Sequence, residues 1–89
     1  MKIIQVGVGG FGASWLDIVV SSKEWEIVGI VDVNEEILKK SVEKYPFLEG
    51  KTFKSLKDCL KKVKADAILN VTPPKFHKEI SILALKEGL

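Results

Sequence analysis

The sequence has 89 residues, of which 46% are apolar and 29% are charged, a composition typical of a folded domain and unlike that of disordered or collagen-like chains. This length suits one small domain and excludes a two-domain enzyme within these residues. The net charge is +2, and all 14 basic residues are lysines scattered among 12 acids. Because no arginine is present to bind guanine or phosphate in bidentate fashion, we do not expect a nucleic acid partner.

The single cysteine and the length of the apolar runs bear on the cellular compartment. Cys59 has no second thiol for an intrachain disulfide or a metal site, which fits a reducing compartment. No apolar run approaches the length of about 20 residues that a membrane span needs. The start of the sequence also lacks the apolar stretch and cleavage site of a secretory signal. We therefore expect a cytoplasmic protein without a membrane partner.

The first third of the sequence predicts a strand, a helix and a second strand. The first strand is the apolar run 3–8, which we expect to be central and covered on both faces. The helix follows the glycines, ends near Ser21 and Ser22, and has an apolar face made of Trp15, Leu16, Ile18 and Val19. The second buried strand covers residues 27–33 and carries Asp32 at its C-terminal tip.

The middle of the sequence predicts a capped helix and a short strand. Asn34 can cap a helix that Pro46 ends and whose apolar residues are Ile37, Leu38, Val42 and Tyr45. Residues 51–53 can supply only a short strand, which we place at an edge of the sheet.

The last third predicts a helix, a strand and a final helix. Ser55, with Asp58 three residues later, resembles a capping box and opens a helix with apolar residues at Leu56, Cys59, Leu60 and Val63. Residues 67–71 form the next buried strand. Pro73 and Pro74 then break the chain before a last helix, which ends at Gly88 and has an apolar stripe of Ile80, Leu83 and Ala84.

This alternation of strands and helices is typical of βαβ units around a parallel sheet. We expect an α/β fold with an open, doubly wound parallel sheet of strand order 3-2-1-4. That is a little more than half of a dinucleotide-binding fold, so residues 1–89 would be an incomplete N-terminal Rossmann domain that lacks the C-terminal substrate domain. The fourth strand would then lack its usual neighbour, which favours either a homo-oligomer or low stability.

The segment Gly7-Val8-Gly9-Gly10-Phe11-Gly12 matches the G-x-G-x-x-G pattern of dinucleotide-binding loops. The first glycine of the pattern allows a tight turn, the second lets the backbone approach a pyrophosphate, and the third lets helix and strand pack closely. Phosphate would sit at the helix N-terminus, where free N–H groups favour negative charge. Taken alone, the motif is equally consistent with a glycine-rich turn that binds nothing.

Asp32 makes a dinucleotide site the favoured interpretation, because it lies 20 residues beyond Gly12 at the end of the second strand. In that position an aspartate accepts hydrogen bonds from the adenosine ribose hydroxyls and repels a 2′-phosphate. No arginine is available to bind such a phosphate, so we expect NAD in preference to NADP. The alternative is a solvated acid at a strand end that has no ligand.

Further polar residues follow the fourth predicted strand, where the strand order reverses and open α/β sheets bind ligands. Thr72 can offer a hydroxyl group, Pro73 and Pro74 would hold the loop rigid, and His77 falls in the first turn of the next helix. A single unpartnered histidine does not indicate a catalytic acid or base. A surface histidine that caps or packs locally is the alternative.

Three sequence features together point to one family: GVGGFG after the first strand, the aspartate that ends the second, and DAILNVTPPKFH followed by ALKEGL. In these features the sequence resembles, from Met1 to Leu89, the N-terminal region of the glucose-fructose oxidoreductase, inositol dehydrogenase and MocA family. Members of that family use a nicotinamide cofactor to oxidise or reduce a carbon of a sugar, cyclitol or related polyol.

The resemblance implies roles for individual residues. The pyrophosphate would be lined by the residues of the glycine motif, namely Gly7, Gly9, Gly10, Phe11 and Gly12. Asp32 would bind the ribose, and the residues along the cofactor toward the nicotinamide would be Thr72, Pro73 and His77. In the family, a strand ending Glu-Lys-Pro with a catalytic lysine and a large substrate domain come next. Since neither is present here, we expect no catalytic residue in this chain and no activity of the 89 residues alone.

Two other functions stay open at this point. One is a non-catalytic nucleotide-binding or sensor module that binds only the adenosine half of a dinucleotide, which hydride transfer by the longest natural form would exclude. The other is a structural or assembly role in which the glycines serve only the turn. Failure of every dinucleotide to shift the stability of the protein would favour that role.

Overall fold

A computed structural model of the protein describes residues 1–72 and 79–84. The strands are β1 (Lys2–Val6), β2 (Glu26–Val31), β3 (Thr52–Phe53), β4 (Ala67–Thr72) and β5 (Glu79–Ala84). The helices are α1 (Phe11–Ser21), α2 (Glu35–Lys44) and α3 (Leu56–Lys62), with a 3₁₀ turn at Pro46–Leu48. None of the helices in these two ranges is long and apolar enough to cross a membrane.

β1 lies at the centre of the sheet, as its apolar sequence predicts. It pairs in parallel with β2 on one side and with β4 on the other. β3 pairs in parallel with β2 at the outer side. The predicted strand order 3-2-1-4 is therefore confirmed, and the carboxyl ends of β1, β2 and β4 meet at one edge of the sheet. Ligands of doubly wound sheets bind at this edge, where the strand order reverses.

The last predicted helix is wrong over the described residues, because Glu79–Ala84 form β5 and run antiparallel to β4 with Ile80 opposite Val71. The sequence EISILA fits both structures: Ile80, Leu83 and Ala84 recur at helical spacing, while its isoleucines alternate with polar residues at the spacing of a strand. The backbone N–H and C=O groups along β4 favour the strand, since they need partners. β4 therefore has a neighbour, which removes the reason for expecting a second copy of the chain there.

The two faces of the sheet carry separate clusters of buried side chains. α1 and α2 cover one face through Leu16 and Leu38, and α3 covers the other through Cys59. A fully buried aliphatic side chain contributes about 1.5–3 kcal/mol by leaving water. Two predicted core positions are wrong, because Ile18 is 58% exposed and Leu60 is 41% exposed. Each helix packs only a narrow stripe on the sheet, and these two positions fall outside it.

Asn34 and Ser55 cap α2 and α3 as predicted. Asn34 Oδ1 accepts hydrogen bonds from the backbone N–H groups of Glu36 at 2.9 Å and Ile37 at 3.4 Å. Ser55 Oγ accepts one from the N–H of Asp58 at 3.1 Å. The Asn34 cap fixes the start of α2 directly after the end of β2, next to the edge of the sheet where a ligand is expected.

Candidate dinucleotide-binding site

The glycine loop, residues 7–12, makes the connection from β1 into α1. The Gly7 N–H donates to the carbonyl oxygen of Val31 at 2.8 Å, which ties the start of the loop to the end of β2. Gly7 and Gly10 have φ values of +89° and +52°, a region of backbone conformation that side chains rarely adopt. The tight turn predicted from the first glycine of the motif is therefore present.

Close contacts with backbone atoms explain why two positions of the loop need glycine, and a third position packs against a side chain. A Cβ built on Gly7 would overlap the carbonyl oxygen of Val71, and one built on Gly12 would overlap the carbonyl oxygen of Gly7. Both obstacles are backbone atoms, so α1 and β4 could not stay this close to the loop if either glycine were replaced. A Cβ on Gly9 would lie 2.5 Å from Cδ1 of Ile37. Gly9 therefore packs against α2, in addition to the role predicted for it of letting the backbone approach a pyrophosphate.

The N-terminus of α1 leaves backbone N–H groups beside open space. Gly10 is its N-cap residue; among the described residues, no side chain caps it and a Cβ built on it would meet nothing within 4 Å. The N–H groups of Gly9 and Gly10 have no acceptor in residues 1–72 and 79–84. Free N–H groups and the helix dipole together attract negative charge, so this end of α1 can hold a phosphate group.

Asp32 follows β2 directly, and its carboxylate accepts hydrogen bonds from two backbone N–H groups. Oδ2 accepts from Val8 at 3.2 Å and Oδ1 accepts from Asn34 at 3.0 Å. The half-buried Asp32 thus contacts the glycine loop and the start of α2 at once. Because a carboxylate oxygen accepts more than one hydrogen bond, both oxygens retain lone pairs for hydroxyl groups. The site combines an anion-binding helix end with a carboxylate that can bind hydroxyls.

A side-chain cluster beside the loop joins α1 to α2. The Tyr45 hydroxyl donates to the carboxylate of Asp17, and Lys44 Nζ lies 2.9 Å from the same carboxylate. These two hydrogen bonds hold the pKa of Asp17 below its ordinary value, and the bond from Tyr45 has the larger effect. A groove of about 220 Å³ next to this cluster is lined by both helices and by Gly9 and Gly10. The cluster therefore keeps α2 packed against the glycine loop.

A larger groove of about 600 Å³ lies between α2 and β3, away from the loop. Its walls include Leu38, Val42 and Phe53, and the ion pair of Glu35 and Lys54 lies at its rim. Size favours this groove, but a binding site also needs polar groups that converge on the ligand. The uncapped helix end and Asp32 supply such groups at the glycine loop, so we take the loop as the site.

The other predicted site residues are only partly within the described residues. Phe11 begins α1 and Thr72 ends β4, at the same edge of the sheet as Asp32. The predicted site residues Pro73 and His77 lie outside the described residues, as do Pro74 and Gly88, the predicted end of the last helix. In the part of the chain that the structure describes, no group of three or more His, Cys, Asp and Glu side chains could hold a metal ion.

Sequence reasoning missed one residue of this site, Gln5. It is fully buried in β1, and its Nε2 donates to the carbonyl oxygens of Gly7 at 2.9 Å and Gly12 at 2.8 Å. The available signal was a polar residue within the apolar run 3–8, two positions before the first glycine of the motif. Residues two positions apart in a strand share a face, so Gln5 lies on the same face as Ile3, toward α1.

A model of the GFO_IDH_MocA family, described as "Oxidoreductase family, NAD-binding Rossmann fold", matches residues 1–89. The chain belongs to this family. The resemblance inferred from the glycine motif, the aspartate after the second strand and the segment after the fourth strand is therefore confirmed. So is the Rossmann-type α/β fold.

Relatives of known sequence or structure resemble the chain over 81–99% of its length. It is 30% identical over 92 residues to the uncharacterized protein y4oX of Sinorhizobium fredii (strain NBRC 101917 / NGR234), covering 99% of this chain and 26% of that protein. It is 27% identical to the WlbA dehydrogenase of Bordetella pertussis, solved in complex with NADH and UDP-GlcNAcA, with a TM-score of 0.69 over 86% of this chain and 22% of that one. An NAD-binding protein from Listeria innocua is also 27% identical, with a TM-score of 0.64 over 81% of this chain and 20% of that one. The chain thus spans about a quarter or less of the length of these relatives.

Proposed function

We propose that this chain is the cofactor-binding part of an NAD-dependent oxidoreductase that transfers a hydride between a nicotinamide and a carbon of a sugar, cyclitol or related polyol. The observation that carries the proposal is an uncapped N-terminus of α1 beside a carboxylate, Asp32, that is bound to the glycine loop. Bound nicotinamide supplies the hydride donor or acceptor of such a reaction. Membership of an NAD-binding oxidoreductase family supports the reaction class, and the UDP-GlcNAcA bound by the WlbA relative supports a sugar-like substrate.

The described residues fit the parts of a dinucleotide. Gly9 and Gly10 have N–H groups without acceptors in the described part of the chain, and these would donate to the pyrophosphate. Gly7, Phe11 and Gly12 would line the same group. Asp32 would accept hydrogen bonds from the ribose hydroxyls. By the family resemblance, the residues along the cofactor toward the nicotinamide would be Thr72, Pro73 and His77.

Asp32 also underlies the proposed preference for NAD over NADP. A 2′-phosphate on the ribose would bring a second negative charge next to this carboxylate. At a separation of about 4 Å two like charges repel by about 1 kcal/mol in water and about 4 kcal/mol near a protein surface. All 14 basic residues of the chain are lysines, so no guanidinium is available to offset this repulsion in a bidentate contact.

We further propose that the catalytic residues and the substrate pocket lie outside residues 1–89. The support is that the chain spans 26% of y4oX and 22% of the WlbA dehydrogenase. Hydride transfer needs the nicotinamide held against the substrate with water excluded, and a cofactor-binding part alone lacks the second wall of such a pocket. A cytoplasmic location also belongs to the proposal, supported by the free, buried thiol of Cys59.

Calorimetric titration of the protein with NADH and NADPH tests the proposal. We expect NADH to bind more tightly than NADPH. Asp32→Asn keeps the size of the side chain and removes its charge. This change should weaken NADH binding by about tenfold, the effect of losing one strong hydrogen bond, and should narrow the preference for NADH.

Asp66→Asn is the matched control. Its Oδ2 accepts a hydrogen bond from the N–H of Lys2 at 2.8 Å, near the start of β1 and β4 and so at the opposite edge of the sheet from the loop. This variant loses a similar carboxylate contact without disturbing the loop, so its affinities should match the wild type. Tighter binding of NADPH, or equal losses in both variants, would contradict the assignment of Asp32. Binding of neither dinucleotide would favour a structural role, and binding without hydride transfer by the longest natural form would favour a sensor module.

A further inference from the structure

Gln5 is a buried amide at the centre of an apolar sheet. In β1 it is paired with Ile30 of β2 and Leu69 of β4, and its exposed fraction is 0%. Ile30 and Leu69 are themselves buried. Moving an amide from water into such surroundings is unfavourable unless hydrogen bonds replace those it made to water. The partners of Gln5 should therefore explain why an amide is present.

Both hydrogen bonds of the Gln5 amide go to the glycine loop. Nε2 donates to the carbonyl oxygens of Gly7 at 2.9 Å and Gly12 at 2.8 Å. Since both partners are acceptors, the NH₂ group and not the oxygen must face them, which fixes the orientation of the amide. One side chain thus connects the first glycine of the motif to the last.

The other half of the amide gains nothing in return. Among the described residues, Oε1 of Gln5 is buried and has no hydrogen-bond partner. An unsatisfied buried acceptor is unfavourable, and an apolar side chain of similar size would avoid it. The amide is therefore poorly suited to stabilising the sheet and well suited to holding the loop, a conflict typical of functional positions.

We propose that Gln5 is a positioning residue that holds the glycine loop in the shape that receives a pyrophosphate. The inference rests on the proposed function. By donating to the carbonyl oxygens of Gly7 and Gly12 from the core side of the loop, the amide keeps both carbonyl groups turned toward the core. The N–H groups of Gly9 and Gly10, which have no acceptor within the described ranges, are then left for an anion.

The loop needs this support because its glycines do not restrict their own backbone. Gly7 and Gly10 already occupy positive φ, and glycine adopts many other conformations at similar energy. Without the two donors of Gln5, the peptide after Gly7 can rotate and turn its carbonyl oxygen toward the anion site. A carbonyl oxygen there would repel phosphate, so pyrophosphate binding would weaken while adenosine binding would not.

The test compares ADP-ribose, which contains the pyrophosphate, with adenosine, which does not. Gln5→Met keeps the length of the side chain and removes both donors. We expect its affinity for ADP-ribose to fall by about tenfold and its affinity for adenosine to change by less than about twofold. Gln5→Asn retains the amide on a shorter side chain that cannot reach both carbonyls, so it should give an intermediate ratio and serves as a second variant if Gln5→Met does not fold.

Ile68→Val is the control for a general loss of stability. Ile68 is buried in β4 on the face covered by α3, away from the loop, and this change should lower the midpoint of thermal unfolding by about 4–8 °C without altering the ratio of the two affinities. An unchanged ratio in the folded Gln5 variants, or an equal change in Ile68→Val, would overturn the role of Gln5. Failure of the wild type to bind ADP-ribose would instead overturn the proposed function itself, so the two failures are distinguishable.

Discussion

Alanine in place of Gly12 tests how closely α1 must approach the end of β1. The added Cβ would overlap the carbonyl oxygen of Gly7 and lie 2.8 Å from its carbonyl carbon, and neither atom can move without the loop. Overpacking of this kind costs about 1–3 kcal/mol. A clash with backbone atoms belongs in the upper part of this range, about 2–3 kcal/mol, and alanine recovers about 1 kcal/mol of helix propensity, so we expect a net loss of about 1–2 kcal/mol.

Thermal unfolding followed by circular dichroism measures this loss. For a domain of this size a loss of 1 kcal/mol lowers the midpoint by about 4–8 °C, so Gly12→Ala should unfold about 4–16 °C below the wild type. Ser14→Ala is the matched control, since Ser14 is exposed on the same helix and this change should leave the midpoint equal or slightly raised. A Gly12→Ala variant as stable as Ser14→Ala would refute the close approach of helix and loop.

Further predictions concern the far face of the sheet and the cluster beside the loop. Gly29→Ala should lower stability in urea, because its Cβ would lie 2.6 Å from Sγ of Cys59, and Cys59→Ala should restore part of the loss; equal losses in both backgrounds would contradict this contact. Burial raises the pKa of Cys59 to about 11, so a thiol reagent at about pH 8 should label it only after unfolding, and fast labelling of the native protein would refute the burial. Tyr45→Phe should raise the pKa of Asp17 toward its ordinary value of 3.8, as followed by NMR titration of the carboxyl group. Because the pKa of Asp17 is lowered in the folded state, its contact with Tyr45 stabilises the fold above about pH 3.8, and this stabilisation is lost as the pH falls through the folded pKa. The wild type should therefore lose more stability in acid than Tyr45→Phe does. Identical acid profiles would disprove the contact.

The sequence was sufficient to predict the helices and parallel strands up to Thr72, because each of these elements depends on a local signal that tertiary contacts reinforce. Their spatial order then follows from the usual topology of a doubly wound sheet. The β-branched runs, the Asn34 and Ser55 caps and the break at Pro46 all agree with the final fold. Glu79–Ala84 were predicted wrongly because six residues fit both helical and strand periods. These residues form a strand because they pair with the open side of β4, and the period of six residues does not show such a partner elsewhere in the chain.

The sequence predicted the groups of the candidate site that would contact a ligand, but not the buried residue that supports the glycine loop. The glycine motif and Asp32 follow from spacing along the chain, and the structure brings them within hydrogen-bond distance through Val8. Gln5 could not be assigned a role from spacing, because its partners are backbone carbonyl groups that any sequence contains. Only the folded loop shows that two of them converge on one amide.

The most direct test of the central claim is a map of backbone amide NMR shifts during titration of the protein with NADH. If the glycine loop binds the dinucleotide, the largest shifts should fall on Gly9, Gly10 and the other amides of the loop, and on Asp32 and Asn34. Shifts confined to the larger groove between α2 and β3, around Leu38 and Phe53, would show that the ligand binds elsewhere. The absence of any shift at saturating NADH would contradict dinucleotide binding by this chain.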